Sequence, residues 1–598
     1  MPTYKAPLEN MYFAIDEVLD ATRISQMPGN EEFSMDLVKQ ILEEGAKVCE
    51  EVLFPINQSG DEEGCHWENG NVTTPKGFKE AFQTYTEGGW MGLACDPEYG
   101  GMGMPSVLSM AMSEMVSASN TAFGMYPGLT IGAYEAIHAF GTAEQKQMYL
   151  PKMVSGEWTG TMNLTEPHCG SDLGLLRTKA ADHDASDDSW KISGQKIFIS
   201  AGEHDMSQNI IHLVLARLPD APEGVKGISL FVVPKFLVNA DGTPGERNSL
   251  ECASIEHKMG IRSNATAVMV YENAKGWLVG EPHKGLMAMF TMMNAARLGV
   301  GMQGLGVAEV AYQNAREYAK ERLQMRSLTG PKYPEKPADP IIVHPDVRRM
   351  LMISKAFTEG ARTMSYWVAL QADLVKGHPD PEVKQTANDF IDLLTPVVKA
   401  YQTDMGSEVA ALGVQVHGGI GFICETGVEQ YMRDAKIFEI YEGTNGIQAL
   451  DLVGRKLMQN QGRGMKRFFA LLQKFAVTNQ ANPKMEEFIA PVTKALGKLQ
   501  NSMEFMMGAA MKNPEEVGAA STDFLRQFAL VVMGYMWGLN AKAALKGLES
   551  GKGNPKFYEE KLKTARFFMA RMLPEAEARH KMVLAGAASI MDMDEDQF

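Results

Sequence analysis

The chain has 598 residues, 45% of them hydrophobic and 22% charged, so it can bury several cores and is not a disordered polymer. Its net charge of −17 argues against a protein whose whole surface grips a nucleic-acid backbone. Six cysteines, Cys49, Cys65, Cys95, Cys169, Cys252 and Cys424, stand far apart without a C-x-x-C pair, which argues against a zinc ribbon or a disulfide framework and fits a reducing compartment.

The opening stretch, MPTYKAPLENMYFAIDEV, lacks the basic start and continuous apolar run of a secretion signal, which predicts a cytoplasmic protein. Helical spacing dominates to about residue 160, including Met35 to Leu53, with one glycine- and proline-rich loop from Glu98 to Pro105. Residues 160–285 change texture. Short β-branched runs appear at Lys191–Ile192, Lys196–Ser200, Ile210–Ala216, Ile228–Val233 and Ala267–Tyr271, and Ser193–Gly194 reads as a tight hairpin turn. Such runs without intervening helices predict an antiparallel sheet or small barrel. Helical periodicity returns after about residue 286, with breaks at Ser327–Asp339 and near Gln459–Gly464. The uncharged apolar run between Arg526 and Lys542 is too short to span a bilayer and reads as a buried helix. The expected segments are 1–159 helical, 160–285 β, 286–458 a helical bundle and 459–598 an extra helical domain. From Lys456 to the end there are 20 basic and 15 acidic residues, a mildly basic stretch on an acidic chain.

Four motifs offer chemistry. LTEPHCGSD, from Leu164 to Asp172, places the hydroxyls of Thr165 and Ser171 on a loop whose backbone can face a polar ligand. On the helix from Val307 to Met325, Ala311, Ala315 and Tyr318 form an apolar stripe that ends in Arg322, a cation that calls for a carboxylate or phosphate partner. GVQVHGGIGF, from Gly413 to Phe422, has paired glycines that permit close backbone approach, and His417 reads as structural. In RDAKIFEIYEGTNGIQ, Glu442 follows Ile437, Phe438, Ile440 and Tyr441, and desolvation there would make a carboxylate a better base. No metal-ligand spacing is present.

In this order the motifs resemble the acyl-CoA dehydrogenase family. The likeness runs from GLACDPEYGGMG (Gly92 to Gly103) through the LTEPHCGSD segment, GQKIFISAG (Gly194 to Gly202), KMGIRSNATA (Lys258 to Ala267), Arg297, Glu321–Arg322 and QVHGGIGF, and ends at RDAKIFEIYEGTNGIQ. It implies a mainly α fold with a central β domain: a helical domain, a barrel-like β domain and a helical bundle, here with an extra C-terminal helical domain. It also implies FAD between the β domain and the bundle, near a dimer interface.

Residue by residue, the resemblance assigns Glu442 as the catalytic base. It assigns Thr165, Ser171, Phe198, Ser200, Thr444 and Gly446 to the flavin of the same subunit. Arg322 goes to the FAD pyrophosphate of the neighbouring subunit, and Gln415, Gly418 and Gly419 to its adenosine side. Asn294 and Arg297 line the route of the CoA moiety; relatives often have aspartate where Asn294 stands, and many have tryptophan and threonine where Phe198 and Ser200 stand. The implied reaction removes the α-proton of an acyl thioester and passes a hydride from the β-carbon to the flavin. The reduced cofactor then delivers electrons to an electron-transfer flavoprotein, and the enzyme acts as a homodimer or tetramer. The two ends of the chain resemble a long bacterial branch, which implies 3-methylmercaptopropionyl-CoA, from dimethylsulfoniopropionate breakdown, or a straight-chain fatty acyl-CoA of β-oxidation as substrate. Three readings compete: an acyl-CoA oxidase, a DNA-associated flavoprotein of the same superfamily held through the basic tail, and a scaffold without catalysis, against which the presence of Glu442 and the flavin-contact residues speaks.

Overall fold

The middle third builds a seven-stranded sheet, and the β-branched runs supply four of its strands: β1 (Trp158–Asn163), β2 (Lys179–Asp184), β3 (Ser189–Ser200), β4 (Asn209–Arg217), β5 (Ile228–Pro234), β6 (Leu250–Ile255) and β7 (Thr266–Val279), the runs falling in β3, β4, β5 and β7. The computed structural model describes residues 2–598. It divides into two units, one formed by residues 45–104 and 115–299, the other by residues 2–44, 105–114 and 300–598.

The sheet belongs to the first unit. Its order is β6-β7-β3-β2-β4-β1, and β5 joins β4 to β7, so β7, β3, β2, β4 and β5 close a ring. Closure gives each of these five strands a partner on both sides, while β6 and β1 flank the ring as edge strands. β4 and β5 are buried along nearly their whole length, and alternate side chains serve two cores. Ile211, Leu213 and Leu215 of β4 and Leu230 and Val232 of β5 pack with Tyr134 and Ile137 of the helix α1 (Ser106–Phe140) and with Tyr149, Leu150 and Met153 of the helix α2 (Ala143–Val154). Val214, Ala216, Phe231 and Val233 face Ile192, Ile199, Ala267 and Met269. The period of two divides these residues between the faces, and each fully buried Val, Leu or Ile contributes roughly 1.5–3 kcal/mol. A capping box of Thr142 and Gln145 starts α2.

Two expectations need correction. Ser193–Gly194 is not a hairpin turn: β3 runs unbroken through it, and the pairing with β7 shifts register between Tyr271 and Ala274. Gly194 is there for close approach, since a Cβ would lie 2.4 Å from the Thr178 hydroxyl and 2.9 Å from its Cα. The sheet is also not wholly antiparallel: β1 and β4 run parallel over six residues, from Trp158–Asn209 to Asn163–Val214. A parallel pair needs a long crossover, and the chain supplies it through the Leu164–Asp172 loop, β2 and β3.

The long helix α3 (Gly285–Glu321) is followed by α4 (Pro345–Gly377), α5 (Pro381–His417), α6 (Glu429–Phe438) and α7 (Asn445–Asp451). The tail adds α8 (Arg463–Asn479), α9 (Glu486–Ala510), α10 (Pro514–Ser550), α11 (Pro555–Phe567) and α12 (Glu575–Leu584). α10 is long and apolar enough to cross a membrane, yet its apolar residues are buried in this fold as a core helix. The Trp537 indole N–H donates to the Ala356 carbonyl at 3.0 Å, and the Asn540 amide donates to Thr363 at 2.9 Å. The tail therefore packs on α4. Lys561 of α11 meets Glu359 of α4 at 3.0 Å and lies over the rings of Phe13 and Phe557.

Candidate functional site

In the β unit, the loop after β1 is fixed by a buried lysine. Lys196, at an inward position of β3, donates to the Leu164 carbonyl at 3.0 Å and to Glu166 Oε1 at 2.9 Å. Glu166 also accepts from the Thr178 hydroxyl (2.6 Å) and from the backbone N–H groups of Thr178 (3.0 Å) and Arg177 (2.8 Å). Burial raises the Glu166 carboxyl, but Lys196, Thr178 and Arg177 together hold it below the usual range. Paired backbone bonds between Glu166 and Cys169 close the turn, and the Ile197 N–H donates to the Thr165 carbonyl at 2.9 Å.

That last bond sets Thr165 beside the strand that carries Phe198 and Ser200. Phe198 is 59% exposed and holds a left-handed backbone at φ +58°. Among the described residues, no side-chain hydrogen bond engages the Thr165 or Ser171 hydroxyl. An exposed aromatic face with uncommitted hydroxyls nearby fits a flat ring system with polar edges. Asn294 and Arg297 stand one helical turn apart on α3, Asn294 half-buried and Arg297 buried. Glu166, His168 and Cys169 bring three ligand-type atoms within 4.8 Å of one another, but both Glu166 oxygens are already engaged by the loop's own donors.

In the bundle unit, Arg322 follows α3 directly and is exposed; among the described residues no carboxylate pairs with it. The Tyr318 ring, one turn before it, stacks on His417 with centroids 4.5 Å apart. The His417 Nδ1 is 2.7 Å from the Gly413 carbonyl, so this histidine joins α3 to the end of α5 and is structural. Gln415, Gly418 and Gly419 are exposed there, and a Cβ added to either glycine would meet nothing within 4 Å. An unpaired guanidinium beside open glycine backbone fits a phosphate with an attached nucleoside.

The turn between α6 and α7 carries Glu442. Phe438 is buried and stacks on Tyr441 at 6.1 Å, while Ile440 is exposed, so the apolar surroundings of Glu442 are one-sided. Glu442 has φ +55° and Gly443 φ +83°. A left-handed backbone is disfavoured for a residue with a side chain, and it is found where neighbours enforce it. Thr444 caps α7 by accepting from the Ile447 N–H, with Gly446 in the first turn. The Tyr441 hydroxyl donates to Gln303, and burial and the Glu442 charge raise its pKa.

Sequence reasoning missed Lys196, Gln303, Lys399 and Gln448. Gln448 lies six residues after Glu442 and was visible as a polar residue in the first turns of α7, whereas Lys399 is remote in sequence and carried no local signal. A cavity of about 370 Å³ between the segment Lys5–Asn10 and α3 and α4 is lined by none of the predicted site residues.

Comparison with known proteins bears on this arrangement. Residues 35–157 match the N-terminal domain of acyl-CoA dehydrogenases, 161–274 the middle domain and 283–458 the C-terminal domain. Residues 468–594 match a domain described as acetyl-CoA dehydrogenase C-terminal like. The chain is 42% identical to the 3-methylmercaptopropionyl-CoA dehydrogenase of Ruegeria pomeroyi, over 98% of this chain and 99% of the relative. It is 35% identical to a butyryl-CoA dehydrogenase of Syntrophomonas wolfei, over 100% and 99%. Among solved structures, an acyl-CoA dehydrogenase of Bacillus anthracis complexed with FAD superposes with a TM-score of 0.75 at 22% identity, over 98% of this chain and 92% of that one.

Proposed function

Because the chain belongs to the acyl-CoA dehydrogenase family, and with it to the FAD-dependent oxidoreductases, we propose that it oxidises the α,β bond of an acyl-CoA thioester to the 2-enoyl-CoA. Its substrate is 3-methylmercaptopropionyl-CoA or a straight-chain fatty acyl-CoA; the relative in Ruegeria pomeroyi, matched end to end, supports the first. The observation that carries the reading is Glu442, held in a left-handed turn within the segment IYEGTN.

FAD, when bound, supplies the acceptor for the β-hydride. Everything else is the work of side chains and backbone. Glu442 removes the α-proton. Its N–H donates to the thioester carbonyl and stabilises the charge that develops there. In the β unit, Thr165, Ser171, Phe198 and Ser200 would hold the flavin ring; the family pattern also assigns Thr444 and Gly446 to FAD. Asn294 and Arg297 guide the CoA moiety.

Arg322, Gln415, Gly418 and Gly419 serve the nucleotide of a second copy. The same unit exposes Leu328 (86%) and Phe422 (82%), apolar side chains that a second copy would cover. Electrons leave to an electron-transfer flavoprotein in the cytoplasm. The four segments 1–159, 160–285, 286–458 and 459–598 act as helical entry domain, flavin-facing β domain, base-bearing bundle and supporting tail.

The test is an anaerobic titration of the flavin-loaded protein with 3-methylmercaptopropionyl-CoA, butyryl-CoA and longer straight-chain acyl-CoAs. Bleaching of the flavin band by one of them supports the reading and ranks the substrates. A loaded protein that none of them bleaches contradicts it, and peroxide formation in air at the turnover rate would make the enzyme an oxidase.

A further inference from the structure

Two consecutive left-handed residues turn the carbonyls of Glu442 and Gly443 out of any helical ladder, and each is met by a buried donor. The Gln448 side-chain amide donates to the Glu442 carbonyl at 3.0 Å and to the Gly443 carbonyl at 3.4 Å. The Lys399 ammonium, on α5, donates to the Gly443 carbonyl at 2.8 Å and to Asn445 Oδ1 at 2.8 Å. The Asn445 amide in turn donates to Asp404 Oδ1 at 2.6 Å and to the Ala400 carbonyl at 3.2 Å. Lys399 and Gln448 are both completely buried. Burying a lysine is expensive, and this one directs donors at the turn that bears Glu442.

We propose that Lys399, Asn445 and Gln448 form a clamp that positions the catalytic base. They hold the 442–443 peptides, and with them the carboxylate and the N–H of Glu442, in the geometry for proton removal. None of the three touches the reacting atoms; they are positioning residues. The proposal rests on the reading of Glu442 as the base. Without the clamp the turn relaxes toward a commoner backbone, which displaces the carboxylate, and a misplacement of about 1 Å lowers a rate by roughly 100-fold.

The test uses flavin-loaded Lys399→Met, Gln448→Leu, Lys399→Arg and Glu442→Gln. Anaerobic flavin reduction at saturating acyl-CoA should fall by roughly 100-fold in Lys399→Met and by roughly 10-fold in Gln448→Leu, with substrate dissociation constants within about threefold of the parent. Lys399→Arg, which keeps the charge and the donors, should recover most of the loss. A readout without turnover is backbone amide exchange: the 439–446 turn should exchange faster in Lys399→Met while the rest of the bundle keeps its protection. If Lys399→Met does not load flavin, Gln448→Leu and Asn445→Ala carry the test. Reduction within twofold of the parent in the loaded clamp variants, with Glu442→Gln inactive, overturns the clamp and leaves the base in place. Full activity in Glu442→Gln overturns the base and the clamp with it.

Discussion

Replacing Lys196 with methionine probes how the Leu164–Asp172 loop, proposed above to face the flavin, is built. Lys196 is completely buried and Glu166 is 3% exposed, with their charged atoms 2.9 Å apart. Removing one partner of a buried pair typically costs about 3–5 kcal/mol, because the remaining charge is left in a low-dielectric interior. Three hydrogen bonds from Thr178 and Arg177 still reach Glu166, which places this case at the lower end, about 3 kcal/mol. For a unit of this size that is roughly 6–12 °C in melting temperature. The Leu164 carbonyl also loses its donor, so FAD content should fall.

The pH dependence reverses sign. In the parent, the Glu166 carboxyl is held low, so its contribution is present above its unfolded pKa and is lost on acidification. In Lys196→Met burial dominates and raises that carboxyl, so protonation relieves the strain and the deficit shrinks as pH falls from 7 to 5. Lys196→Met/Glu166→Gln, which removes both charges, should recover more than half of the lost stability. Calorimetry and flavin absorbance read all of this. A single variant that melts within a degree of the parent with full flavin, or a double variant worse than either single, refutes the reasoning.

Arg322→Ala should lower FAD retention on gel filtration without changing the melting of the flavin-free protein; unchanged cofactor content removes the pyrophosphate role. Gly360→Ala places a Cβ 2.7 Å from the Trp537 indole nitrogen and should cost about 1–3 kcal/mol, read as earlier proteolysis of the tail. Burial opposes ionisation of Glu359, but Lys355 and Lys561 hold it at about 2 against an ordinary 4.5. Its contribution, about 3 kcal/mol, is complete above about pH 5 and is lost toward pH 2. The urea-stability gap between the parent and Glu359→Gln should therefore narrow by about 1 kcal/mol from pH 6 to pH 4.

The order of helices, strands and helices was legible because short β-branched runs replace helical spacing between about residues 160 and 285 and helical periodicity then returns. Strands β1, β2 and β6 were not, because Trp158–Asn163 and Lys179–Asp184 are short and mixed in polarity, and only long-range pairing selects them. Ser193–Gly194 misled because local turn chemistry matched a hairpin, whereas the glycine serves contact with Thr178. Thr165, Arg322 and Glu442 stood out as candidates because each sits in a short motif, and the ordered set of motifs carried the family resemblance. Lys196, which bonds Leu164 and Glu166, and Lys399, which bonds Gly443 and Asn445, look like ordinary surface lysines until the fold buries them.

The proposed removal of the α-proton by Glu442 is tested most directly by anaerobic stopped-flow mixing of flavin-loaded Glu442→Gln with the acyl-CoA that bleaches the parent. Flavin and acyl-CoA binding should be retained and reduction slowed by about 1,000-fold or more, since the amide cannot accept the proton. Bleaching within tenfold of the parent rate would contradict it and assign the proton to another base.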